Sequence, residues 1–134
     1  MLSSSHFSYD EMLHVWDTRM LSVNRVSSRS RVSSAVLGGG VWRIKGHPVR
    51  RDLLSTASMH AGFYVVSLGD CAKAEEGTAL GILCQYKEHG SLGYGIDWKL
   101  LEDGDGKDEG LLLASCSFYD HSLKLWTIGG ELYD

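Results

Sequence analysis

Proline is nearly absent, with one residue in 134, too few for a proline-rich linker. The three cysteines, Cys71, Cys84 and Cys116, are an odd count with no Cys-x-x-Cys pair. That argues against a disulfide framework and a zinc knuckle. The expectation is reduced thiols in a cytoplasmic protein, with Cys116 filling space in a strand. No apolar run reaches the length that spans a bilayer. The start, MLSSSHFSYDEM, lacks the charged and apolar regions of a signal peptide. A formal charge of −4 leaves no basic excess to hold nucleic acid or a membrane surface. The nucleophile elbow Gly-x-Ser-x-Gly and the metal pattern His-Glu-x-x-His are missing. The stretches GGGVWR and GYGIDW each fail a phosphate-loop pattern at the third glycine. Residues 102–110, EDGDGKDEG, place Asp103 and Asp105 two apart, as in a calcium loop. Asp108 stands where that loop needs glycine and Ala114 where it needs glutamate, so a solvated loop is expected.

The strongest positive signal is at residues 111–126, LLLASCSFYDHSLKLW. Leu111, Leu113 and Ser115 alternate with Leu112, Ala114 and Cys116, and 122–126 alternates again, so two strands joined by a tight turn are expected. Asp120 in the turn precedes Trp126 by six residues, and Asp10 precedes Trp16 by the same spacing. A strand, an Asp in the turn and a second strand ending in Trp is the pattern of a WD-type propeller blade. The Asp accepts hydrogen bonds in the turn, and the Trp packs between blades.

Along the chain, residues 3–34 read as half a blade followed by a Ser/Arg-rich insertion. Met12–Trp16 is its strand, and residues 22–34 hold six Ser and three Arg. Residues 37–87 read as a complete blade, with strands at 41–45, 53–59, 63–67 and 78–86. Residues 91–128 read as a last blade lacking its outer strand. Val41, Arg43 and Lys45 alternate with Trp42 and Ile44, which gives the first of these strands one polar and one apolar face. His60 takes the turn position of Asp10 and Asp120, at separations of 50 and 60 residues, and Val66 takes that of Trp126. The fold class expected is all-β: a partial propeller of about three blades, an incomplete ring, since closed rings need roughly 4–8. The chain then reads as the C-terminal part of a longer propeller, marginally stable or associating by itself.

LGGGVWRIKGHP, SMHAGFYVV, YGIDW and LLLASCSFYDHSLKLW together resemble the diphthine methylesterase family, WD-repeat proteins of the diphthamide pathway also called diphthine methyltransferases. The likeness runs from Ser8 to Trp126. One departure is Gly46, where the family usually has Trp before His-Pro. The resemblance implies a carboxyl methylesterase that hydrolyses the methyl ester of diphthine on elongation factor 2, releasing methanol. It implies no metal and no organic cofactor.

Such chemistry needs a base, a charge to hold the developing oxyanion and a seat for the substrate's trimethylammonium group. His60 and His121, both in turns between second and third strands, are the candidate bases. His47, at the far end of its strand, is less suited, and His6, His14 and His89 look like ordinary surface or strand positions. Asp97 and Arg43 complete the candidate catalytic set. Trp42, Trp98, Tyr94 and Lys45 are the candidate substrate contacts, with aromatic faces for the cation. Plainer readings compete: Asp120 as its blade's turn residue, Arg43 and Lys45 as a solvated channel lining, the aromatics as packing, and Ser117 and Cys116 as strand residues rather than nucleophiles. The alternative to an enzyme is a non-catalytic WD-repeat scaffold that presents a face to a protein partner.

Overall fold

The computed structural model describes residues 9–16, 31–69, 78–99 and 111–128. Expectations placed on His6, most of the Ser/Arg segment, Cys71 and the acidic loop at 102–110 lie outside these residues. Among the described residues there are ten strands and no helix. The strands are β1 (Met12–Trp16), β2 (Arg31–Val36), β3 (Arg43–Gly46), β4 (Leu53–Ala57), β5 (Phe63–Ser67), β6 (Thr78–Ala79), β7 (Gly81–Tyr86), β8 (Gly93–Lys99), β9 (Leu111–Ser117) and β10 (Leu123–Ile128). They form three sheets, ordered β1-β2-β6, β3-β4-β5-β7 and β8-β9-β10. All pairings are antiparallel except β2 with β6. This is the all-β arrangement of a partial propeller.

The middle sheet is covered on both faces. Along β5 the pleat sends Tyr64 and Val66 one way and Phe63 and Val65 the other. The first pair joins a core with Leu13 and Val15 of β1, and with Leu37, Val41 and Leu54. The second pair joins a core with Ile96, Leu113, Trp126 and Ile128 of the last sheet. Both faces of β5 are therefore apolar, as a doubly buried strand requires.

Two glycines permit these contacts. A Cβ at Gly93 would lie 2.6 Å from Cζ of the fully buried Phe63, and one at Gly39 would lie 2.9 Å from Cβ of Ala61. Tyr64 is buried with its hydroxyl satisfied: it donates to the Leu37 carbonyl at 2.6 Å and accepts from Gln85 Nε2 at 2.7 Å.

The structure departs from the expected strands in three places. The strand expected over 78–86 is broken at Leu80: β6 pairs in parallel with β2 of the first sheet, and only β7 completes the middle sheet. The end of the Ser/Arg segment, expected as part of an insertion, is the regular strand β2, paired with β1 over Met12–Trp16. The alternation around β3 does not separate polar from apolar faces either, because Trp42 is 37% exposed while Ile44 and Lys45 are both half-buried.

Candidate functional site

Strands β3 and β8 are the inner edges of neighbouring sheets, and they run side by side in the same direction. Trp42 meets Tyr94 edge to face, with ring centres 5.2 Å apart. Three residues on, about 10 Å at strand rise, Lys45 Nζ lies 3.3 Å from an Asp97 carboxylate oxygen. Beyond these, Trp98 donates its indole N–H to the Lys45 carbonyl at 3.0 Å, and its ring packs edge-on against His47 at 4.9 Å. The candidates thus fall along one seam: aromatics at the start, an ion pair in the middle, and Trp98 with His47 at the far end. Arg43 sits exposed between Trp42 and the ion pair.

Both turn histidines belong to the start of this seam. Met59, beside His60, bridges to Gly93, whose N–H donates to the Met59 carbonyl at 2.9 Å. The turn carrying His121 is fixed to the segment entering β8 through Asp120, which accepts from Gly90 N–H at 2.8 Å and the Ser91 hydroxyl at 3.2 Å. Ser117 and Ser122 donate to the same carboxylate. These donors hold Asp120 well below the usual carboxylate range, with the Ser117 hydroxyl contributing most. His121 takes a left-handed backbone, φ 50°, to close the turn.

His60 does not repeat the role of Asp120. Its turn, closed by Ser58 N–H to the Gly62 carbonyl, is one residue shorter than that closed by Ser117 N–H to the Ser122 carbonyl. Gln85 Nε2 ties this shorter turn to the sheet by donating to the Ala61 carbonyl at 2.9 Å. Among the described residues the His60 side chain makes no hydrogen bond, which leaves it exposed and available.

Sequence reasoning missed two things. The first is His89, taken as an ordinary position. Trp126 Nε1–H donates to Ser115 Oγ at 3.0 Å, and Ser115 Oγ lies 2.8 Å from His89 Nε2. His89 Nδ1 lies 2.6 Å from Ser117 Oγ, and Ser117 donates to Asp120. Ser117 gives its one proton to Asp120, so it accepts from His89 Nδ1–H, and the neutral Nε2 then accepts from Ser115; the chain runs one way, Trp126 to Ser115 to His89 to Ser117 to Asp120. Burial lowers the His89 pKa and Lys124 adds to this, while Asp120 opposes it. The ring rests on Phe63 at 5.0 Å, so this network joins two sheets rather than facing a substrate. The available signal was a His 31 residues before the turn Asp, a separation no short motif captures.

The second is Phe118. Its ring lies 6.0 Å from Tyr94, 5.2 Å from Tyr119 and 6.5 Å from His121, which extends the aromatic start of the seam. Trp98 does not join this group. The position of the Gly46 departure is open, since a Cβ there would meet nothing within 4 Å. His47 serves the turn after β3, its Nδ1 accepting from the N–H groups of Val49 at 3.1 Å and Arg50 at 2.8 Å. Among the described residues no group of three His, Cys, Asp or Glu is placed to hold a metal ion. Nor is any helix there long and apolar enough to cross a membrane.

No protein-family model matches the chain, and no solved structure does. It is 37% identical over 120 residues to a Dictyostelium discoideum protein named diphthine methyltransferase homolog, covering 89% of this chain and 30% of that one. It is 40% identical over 95 residues to the Mus musculus diphthine methyltransferase, covering 70% of this chain and 18% of that one. The Saccharomyces cerevisiae diphthine methyltransferase is 30% identical over 134 residues, covering 90% of this chain and 31% of that one.

Proposed function

The chain is a relative of the proteins named diphthine methyltransferase and spans less than a third of their length, and from that premise we propose that it serves diphthamide synthesis as part of a carboxyl methylesterase. Its substrate is the methyl ester of diphthine on elongation factor 2, which places the reaction in the cytoplasm. Water adds to the ester carbonyl, the bond to the methoxy oxygen breaks, and methanol leaves with a proton, giving diphthine.

The observation that carries this reading is the seam between β3 and β8, which lines up the Trp42–Tyr94 pair, the turn with Phe118 and His121, and the Lys45–Asp97 pair. His121, beside Phe118, takes the proton from water and returns it to methanol, with His60 on the adjoining turn as the second candidate base. Arg43 and Lys45 hold the oxyanion, Asp97 fixes Lys45, and Trp42 and Tyr94 hold the substrate's cationic group. Trp98 positions β3 through the Lys45 carbonyl rather than touching substrate.

The test is methanol release from methyl-esterified elongation factor 2, using this chain alone and joined to the remaining length of its relatives. His121→Ala is expected to lower the rate on the order of 10²-fold or more. Full activity in both His121→Ala and His60→Ala would remove both from the base role. A second reading, a scaffold that presents the face bearing exposed Phe118 and Tyr119 to a protein partner, gains if elongation factor 2 binds and no methanol forms.

A further inference from the structure

The three sheets repeat one arrangement. Apolar residues stand three and five places after each turn residue: Leu13 and Val15 after Asp10, Phe63 and Val65 after His60, and Leu123 and Leu125 after Asp120. The pleat turns both members of a pair to one face of their sheet. Leu13 and Val15 are buried in one core with Tyr64 and Val66 of the middle sheet. Phe63 and Val65 are buried in the other with Leu113 and Trp126 of the last sheet. Leu123 and Leu125 hold the same places in the last sheet and are exposed. Among the described residues neither apolar core includes them.

The covering face is repeated as well. Val66 and Trp126 stand six places after their turn residues and pack back onto the preceding sheet. Trp16 holds that place in the first sheet. It is half-buried and turned away from Leu13 and Val15, its ring 6.1 Å from that of His14. Met12 shares this side of β1 and pairs in register with the exposed Val36 of β2. The chain therefore carries both halves of its own sheet-to-sheet contact: a leucine face on the last sheet, and on the first a face with Trp16 and Val36.

We propose that a second copy of this chain closes the ring, the first sheet of each copy docking on the last sheet of the other. Two copies of three sheets bring six, within the roughly 4–8 blades of closed propellers. The two contacts are related by a two-fold axis, so closure leaves neither face open. The same head-to-tail contact without closure grows into filaments. The inference stands apart from the esterase reading.

The experiment follows the full chain and two variants by sedimentation equilibrium. The native chain is expected to pass from monomer to dimer as concentration rises and to stop there. Leu125→Glu on the last sheet and Val36→Glu on the first should each raise the dimer dissociation constant about tenfold or more, because each buries an unpaired charge. Mixing the two variants should restore part of the association, since one keeps the leucine face and the other keeps the face that covers it. Both positions are exposed, and unchanged far-ultraviolet dichroism checks that the variants fold. Dimerisation of Val36→Glu equal to that of the native chain would overturn the proposal in favour of last sheet against last sheet. Growth past the dimer would overturn closure in favour of open stacking. A monomer at every concentration would overturn it too, and leave the leucine face to the remaining length of the relatives.

Discussion

At the scale of single residues, His89 and Asp120 show what a sequence discloses. Asp120 was legible because Ser117 and Ser122 lie within its own turn and its spacing to Trp126 repeats. His89 was not, because Ser115, Ser117 and Ser122 stand 26, 28 and 33 positions away, and only folding brings them to one ring. The network has a pH signature. The His89 pKa lies below its ordinary 6.5, so the unfolded chain takes up the proton first. Stability from this site is complete above pH ~6.5 and falls as pH drops through the folded-state value. Protonating Nε2 also opposes the Ser115 hydroxyl that points at it. The charged groups that act on the ring, Asp120 and Lys124, pull in opposite directions. Thermal melts between pH 7.5 and 5 should show a falling midpoint in the native chain, and His89→Gln should flatten that dependence while lowering the midpoint throughout. An unchanged slope in His89→Gln would assign the effect elsewhere.

At the scale of elements, the hairpin β9–β10 was legible because each strand alternates and the turn is polar. The split of 78–86 into β6 and β7 was not, since the sequence gives one apolar-rich run and the pairing of Ser33 with Thr78 is a tertiary event. The same holds for the seam: β3 and β8 fall in separate blades of the expected arrangement, and nothing local aligns Trp42 with Tyr94 or Lys45 with Asp97. That alignment depends on how closely β8 approaches β5, which Gly93 sets. Gly93→Ala, pressing on Phe63, should destabilise by about 1–3 kcal/mol, as overpacked cores do, and move Tyr94 away from Trp42. Pairing it with Phe63→Leu should recover part of the loss. Chemical denaturation of the single and double variants measures this, and additive losses would show that the two positions are not coupled.

At the scale of the whole molecule, the three sheets among the described residues stack so that the middle one is covered on both faces. The last sheet turns Leu113, Trp126 and Ile128 inward and leaves Leu123 and Leu125 of β10 exposed at 70% and 66%. Among the described residues β10 has no partner on its far side. An apolar strand edge of this kind promotes association. Sedimentation should show concentration-dependent self-association of the chain, reduced by Leu125→Glu with a stability change within about 0.5 kcal/mol. The propeller character was legible because it rests on repeated patterns. The uncovered face was legible only in part, because exposure is a property of neighbours.

The stack of Tyr86 on Trp126 has an optical consequence. Two chromophores 4.5 Å apart and nearly coplanar couple their electronic transitions, and here one belongs to the middle sheet and the other to the last. The near-ultraviolet dichroism of the chain should therefore carry a band that reports the docking of these two sheets. On mild denaturation that band should vanish while the far-ultraviolet strand signal persists, which would give a spectroscopic ruler for one interface inside an all-β chain.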